Sequence, residues 1–227
     1  MRPLTVVRVG GLSLIAGAFL FIAVFTYLAL AFNYPNILDG TANDVLPQLL
    51  ATGRQGRAVW AIYGFLPLAW IPASVGAFHA LRGTSEGSMR VAMAAGFLSS
   101  IAMILGLLRW PTIHWELAQA YAGASATERV LISSLFAGFN LYLGNYIGEF
   151  LGELAISVFF LLSAMTILRP TSGFPRWSGY LGLLAGVVGI TGMFRNVTDS
   201  VDPVAAFNNY LLPLWMVAFG ILLLRRS

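Results

Sequence analysis

The sequence predicts an all-α polytopic membrane helical bundle of about six transmembrane helices, built as one integral membrane domain over residues 1–227. Three observations carry this prediction. Hydrophobic residues make up 58% of the 227 positions and charged residues only 10%, where soluble domains carry roughly a quarter charged residues. Apolar runs long enough, or nearly so, to cross a hydrocarbon core of about 30 Å recur along the chain. The 13 basic side chains are all arginine, and most of them sit at the ends of those runs.

The spans are placed near 9–32, 59–81, 91–109, 146–168, 178–195 and 207–224. Arg2 and Arg8 precede the first, as in a signal peptide, but the apolar run continues to Phe32, so it is read as a retained span. The loop FNYPNILDGTANDVLPQLLATGRQGR follows, with a short amphipathic helix expected after the Asn43/Asp44 cap signal, lying at the membrane interface. Pro67 and Pro72 in the second span and Pro213 in the sixth predict kinks. LRGTSEGSMR connects the second and third spans tightly. WPTIHWELAQAYAGASATERV then offers Trp110, Trp115 and Tyr121 to the headgroup layer.

The fourth span belongs to a longer helix. Thr127 reads as its N-cap, with Glu128 in the first turn, and nothing stops it before Pro170. Residues 128–168 as one helix would measure about 60 Å, twice the hydrocarbon core. Either the helix projects, or it bends near Gly144 with 128–143 along the outer interface. RPTSGFPRW and the compact, acidic RNVTDSVDPVA close the last two connections.

Arg2 and Arg8, Arg82 and Arg90, Arg169 and Arg176, and Arg225 and Arg226 flank one side of successive spans, while Asp39, Asp44, Glu116, Glu128, Asp199 and Asp202 fall on the other. The positive-inside rule then puts both termini in the cytoplasm, in agreement with an even number of spans.

Several chemistries drop out. The chain has no cysteine, which removes disulfides, thiol chemistry, Cys-ligated zinc and iron–sulfur clusters. Without lysine there is no Schiff-base anchor for retinal or pyridoxal phosphate. The net charge of +4 comes from arginines at segment ends rather than on one face, so no nucleic-acid partner is expected. His79 and His114 lie a membrane thickness apart and cannot share a haem. No GxSxG, HExxH, P-loop or GxGxxG signature occurs. No cofactor and no metal is expected.

One stretch stands out, FNLYLGNYIGEFLGELAISVFF at 139–160. Glu149 and Glu153 lie one turn apart, with Asn145 one turn earlier. Gly144, Gly148 and Gly152 form a parallel stripe that lets another backbone approach and draws the polar face into the bundle. Gly179, Gly182, Gly186 and Gly189 of the fifth span offer a second such surface, so these two helices are expected to touch. Glu153 lies roughly 24 Å and Glu149 roughly 30 Å above Arg169, level with the outer ends of the spans. A charge at depth costs on the order of 3 kcal/mol and is normally paired or faces water. Arg109 and Arg195 close the third and fifth spans at that level and can clamp the pair as structural salt bridges. The same groups can instead bind a polar ligand in an outward pocket, or hold a proton or a hard cation. The candidate ligand-binding residues are Glu149, Glu153, Asn145, Asn140, Arg109, Arg195, His114 and Glu116, with His114 equally readable as a headgroup-level anchor. Asn196, Asn208 and Asn209 read mainly as turn and cap residues.

FNYPNIL after the first span, LRW at the end of the third and FNLYLGNYIGEFLGEL in the fourth resemble the motifs of a bacterial membrane family known as domain of unknown function 4386. In that family Tyr-Pro-x-Ile-Leu follows the first helix, and an aromatic-Asn-x-Tyr-Leu-Gly run leads into Gly-Glu-x-Leu-Gly. The resemblance implies a six-helix fold in the bacterial inner membrane, with Asn140, Tyr142, Gly144, Gly148, Glu149 and Gly152 as signature positions. It supplies no activity, and Glu153 lies outside the signature.

Three functions remain open. The first is a sensor or accessory protein whose outward cluster binds a small polar ligand, a lipid headgroup, or a partner subunit or second copy through the glycine-rich faces. The second is a proton-coupled transporter or channel. The third is an intramembrane enzyme using the carboxylate pair.

Overall fold

The structure, a computed structural model, describes residues 3–226. Arg2, used above for orientation, lies outside the described residues. Among them there is no β-strand, and the chain is almost entirely helical: α1 (Pro3–Phe32), α2 (Ala42–Ala51), α3 (Gly53–Phe65), α4 (Trp70–Leu108), α5 (Trp115–Gly123), α6 (Ala126–Phe139), α7 (Gly152–Ile167), α8 (Arg176–Gly192) and α9 (Asp202–Leu224). Two π-helical stretches, Trp110–His114 and Asn140–Leu151, join α4 to α5 and α6 to α7.

Five helical stretches are long and apolar enough to cross a membrane. The second of them, Gly53–Gly123, has 71 residues and would reach about 107 Å if straight, more than three bilayer cores. It is not straight. Ser85 is non-helical, at φ −158° and ψ 86°, and the two arms of α4 fold back on one another. Gly96 packs on Ser74, Gly64 on Leu108, and the Trp60 ring stacks on Trp110 at 4.8 Å. These pairs are centred on residues 85–86, as an antiparallel helical hairpin requires. Among the described residues the bundle therefore holds six long rods.

The rods close into a ring. Gly10 of α1 meets Gly76 of α4, and Gly11 meets the backbone of Gly220 in α9. Gly106 in the second arm of α4 meets Gly148, Gly186 of α8 meets Leu161 of α7, and Gly192 meets Ala205 of α9. Each neighbour runs antiparallel to the last. The small residues bring backbones together where lipid supplies no hydrophobic drive between helices.

The two glycine stripes do not face each other. A Cβ on Gly148 would lie 2.8 Å from the Gly106 Cα, and one on Gly152 would lie 2.8 Å from Met103 Cγ, so the stripe of the fourth span faces α4. The α8 stripe faces side chains of the fourth span at Gly179 (Leu168), Gly186 (Leu161) and Gly189 (Ser157), while Gly182 lies closest to Trp215 of α9. The fourth and fifth spans do touch, but through only one of the stripes.

Among the described residues there are two cores. The inner one, around Phe159, Phe160, Trp215 and Phe219, fills the ring toward the arginine-rich end. The other caps the opposite end, where α2, α5 and α6 fold over the rods around Leu46, Leu49, Trp60, Trp110 and Phe136. The α2 helix starts after Thr41, not at Asn43, and buries Val45, Leu46 and Leu49 against this cap. Trp110, Trp115 and Tyr121, expected at the headgroup layer, are core residues of the cap. The N-cap of α6 is Ser125 rather than Thr127, in a capping box with Glu128. The bend expected near Gly144 takes the form of the π-helical stretch, and 126–167 remains one helical run.

Candidate functional site

Between the two cores the ring surrounds a partly open cavity of about 160 Å³, lined by five of the rods and by Arg195 of the turn that follows α8. A cavity of roughly 150 Å³ accepts a benzene-sized guest. Its apolar wall comes from Phe21 of α1, Trp70 and Met103 of the α4 hairpin, Leu107, and Leu212 and Met216 of α9. Its polar rim is formed by Tyr34, Tyr63, Arg109, Glu149, Glu153 and Arg195, with Asn208 and Asn209 beside them. Counted at 1.5 Å per residue from the nearest arginine of the basic end, the rim groups on the rods lie roughly 24–30 Å up, and the apolar wall roughly 13–25 Å up. The cavity is thus polar at one end and apolar at the other.

Glu153, in the first turn of α7, is held by Arg195 in a bidentate pair, Nη1 to Oε2 and Nη2 to Oε1, both 2.7 Å. Arg195 reaches it because Met193–Asn196 continues α8 as a 3₁₀ turn level with the start of α7. The guanidinium also donates to the Gly192 carbonyl at 3.2 Å and lies 3.1 Å from Glu149 Oε2. One cation therefore sits against both carboxylates, which removes much of their mutual repulsion. Glu149 Oε1 has no hydrogen-bond donor among the described residues.

Arg109 plays a different part from the one the sequence suggested. It does not clamp the carboxylates, and no ion pair of Arg109 occurs among the described residues. Its side chain is 4% exposed, lying 5.0 Å over the Trp110 ring. It donates to the Gly106 carbonyl through Nη1 and to Asn140 Oδ1 through Nε and Nη2, at 3.2 and 3.0 Å. Asn140 in turn donates from Nδ2 to the Leu38 carbonyl at 3.1 Å, tying the fourth span to the first loop. Gly144 is what admits the guanidinium, since any Cβ there would collide with it. Three of the five N–H bonds of a guanidinium are used in this way, leaving two.

The remaining predicted residues lie elsewhere. Asn145 is half-buried and does not line the cavity. The α-helical arithmetic that aligned it with Glu149 fails in a π-helix, where each turn takes more residues. Glu116 is exposed and pairs with Arg57 at 3.3 Å. His114 is 0% exposed, wedged between Trp110 and Phe136 with neither ring nitrogen hydrogen-bonded, so its side chain is buried in the cap.

Other rim groups had a weaker signal. The Tyr34 and Tyr63 hydroxyls are 3.2 Å apart, so one donates to the other and the acceptor keeps its own O–H. Burial pushes the Tyr34 phenol above its ordinary pKa, keeping it a neutral donor and acceptor. Asn208 and Asn209 are not caps but lie inside α9. Asn208 is 8% exposed, and its Oδ1 meets no donor. An asparagine pair in an apolar span is the signal that would have found them.

The family model described as domain of unknown function (DUF4386) matches residues 14–226. The chain belongs to that family. No curated protein and no solved structure matches it. Within DUF4386 this chain is an integral membrane protein of unknown activity. Of the signature positions, Gly144, Gly148 and Glu149 line the cavity, Gly152 packs beside it and Asn140 holds Arg109, while the Tyr142 side chain is 64% exposed on the far face.

Proposed function

We propose that this DUF4386 protein binds a small ligand in the rim-and-wall cavity, acting as a sensor or accessory protein and not as a catalyst. The carrying observation is Asn208. Its buried Oδ1 lacks a donor, a state that costs about 1–3 kcal/mol when nothing fills it. Glu149 Oε1, on a side chain that is partly exposed, and the two unused N–H bonds of Arg109 offer further polar contacts at the rim. Against an acid–base role, Arg195 occupies the position between the carboxylates that a shared proton would need.

We place the protein in the bacterial inner membrane with six crossings, both termini cytoplasmic and the cavity open outward. The arginines support this. Arg82 and Arg90 flank the Ser85 turn, while Arg226 donates to the Ser172 carbonyl between α7 and α8. These connections lie at the end of the ring away from the cavity.

Ligand-induced thermal stabilisation of the purified protein, compared between wild type and Glu149→Gln, tests the binding reading. Arg195 keeps its bidentate hold on Glu153 in this variant, so the fold survives and the ligand shift changes. If the variant only loses stability, and no compound from a panel of small polar metabolites shifts the wild type, Glu149 is a salt-bridge residue and the reading falls.

A further inference from the structure

The geometry points to a zwitterionic ligand, a small head carrying an N–H-bearing ammonium and an acid group on a short apolar body, held with its head at the rim and its body against the apolar wall. The inference rests on the cavity being a binding site and adds the chemistry of the occupant.

The unused groups at the rim divide by sign. On one side are acceptors, Glu149 Oε1 on the fourth rod and Asn208 Oδ1 on the sixth. Glu149 shares Arg195 with Glu153, which takes both of the short 2.7 Å bonds, so its charge is only partly answered. On the other side are donors, two N–H bonds of Arg109 and one hydroxyl proton of the Tyr34–Tyr63 pair. Arg195 with Glu153 is neutral as a unit. Among the described residues the rim thus presents one anion that shares its cation and one cation with no carboxylate at ion-pair distance.

A singly charged ligand satisfies one side and leaves the other unanswered in a mostly apolar cavity, which is costly. An ammonium donating to Glu149 and Asn208, with an acid group accepting from Arg109 and tyrosine, answers both. Phe21, Trp70, Met103, Leu107, Leu212 and Met216 take up the apolar body, and the volume suits a short branched chain better than an acyl tail.

Both a free amino acid and an aminated phospholipid headgroup carry this chemistry. The test uses the full chain in nanodiscs of phosphatidylglycerol, titrated with L-leucine, 4-methylpentanoate and 3-methylbutylamine, which share a branched body and differ in charge. Matched discs of phosphatidylethanolamine and phosphatidylcholine test the lipid source, since the choline head has no N–H to donate. Binding is read by native mass spectrometry and thermal shift.

The expected result is that L-leucine binds at least about tenfold more tightly than either singly charged analogue. Glu149→Gln should then erase most of the difference between L-leucine and 4-methylpentanoate. Stabilisation by phosphatidylethanolamine alone, lost in Glu149→Gln, would instead assign the zwitterion to a lipid. If one singly charged analogue matches L-leucine, and its binding is weakened by Asn208→Leu, the cavity stands as a site and the zwitterion assignment is overturned. If no probe or lipid distinguishes wild type from Asn208→Leu, both readings fall.

Discussion

Asn208→Leu separates a binding site from a structural polar cluster by the sign of its effect on stability. Asn208 is 8% exposed, with Oδ1 shielded from solvent and without a donor. Leucine has the same side-chain skeleton, branched at the same carbon, so the substitution removes the unsatisfied oxygen and adds only the bulk of two methyl groups beside the cavity. An unmade hydrogen bond of this kind costs about 1–3 kcal/mol. A chain of this length shifts its melting temperature by about 2–4 °C per kcal/mol. The ligand-free variant should therefore melt roughly 2–12 °C higher than wild type. Melting in nanodiscs, followed by intrinsic tryptophan fluorescence, reads this directly. The same variant should lose most of any ligand-induced stabilisation, because the group left unsatisfied in the empty protein is the one the ligand answers. A gain of stability with loss of binding is the trade-off expected where function keeps a destabilising residue. A fall in melting temperature would refute the reasoning, since Asn208 would then be serving the fold.

The ion cluster gives a second contrast: Glu153→Gln should destabilise by about 1–3 kcal/mol, because it breaks a bidentate, partly buried pair, and Glu149→Gln by about 1 kcal/mol or less. Equal losses in chemical denaturation would show that Arg195 does not discriminate between them. Along the glycine seam, Gly148→Leu should uncouple the fourth rod from α4 and abolish monodisperse folding, because even its Cβ would sit 2.8 Å from the Gly106 Cα. Gly138→Ala meets nothing within 4 Å and should stabilise by up to about 1 kcal/mol through helix propensity; size-exclusion profiles and melting curves compare the two. Orientation is open to single-cysteine labelling, since the chain has no native cysteine. Gly123→Cys should react with an impermeant maleimide in intact cells and Gly87→Cys only after permeabilisation, and the reverse pattern would invert the topology.

The rods were legible because each depends on a local property. A run of apolar residues must be helical in lipid, where every backbone group has to be satisfied within the segment, and that is visible in one stretch of sequence at a time. What escaped depends on how rods turn against each other. The stripes at Gly144–Gly152 and Gly179–Gly189 looked like mates, yet the first found Gly106 and Met103 and the second found side chains of the fourth span and Trp215 of α9. Small residues announce that something comes close without saying what. Asn145 escaped because face arithmetic assumes a uniform helix, and the turn that carries it is π-helical. Trp110, Trp115 and Tyr121 were misplaced for another reason. Aromatic residues at a span's end suit the headgroup layer and a protein core equally well, and only the folding of α2, α5 and α6 over the rods decides between them.

The two arginines show how this geometry shapes the site. Both close a span at the same height, and sequence alone makes them equivalent partners for the carboxylates. The seams make them different. On the α4 side, Gly144 has no Cβ, so Arg109 lies against the fourth rod and is captured by Asn140 and the Gly106 carbonyl. On the α8 side, the 3₁₀ turn at Met193–Asn196 brings Arg195 to Glu153 and Glu149 together. Among the described residues one cation therefore serves two anions, while the hydrogen bonds of the other go to neutral acceptors. Sharing the arginines one to each carboxylate would relieve more desolvation cost, so ion pairing alone does not account for the arrangement. Charge left uneven around a cavity, beside an amide with no donor, is the pattern that supports the proposed binding of a ligand.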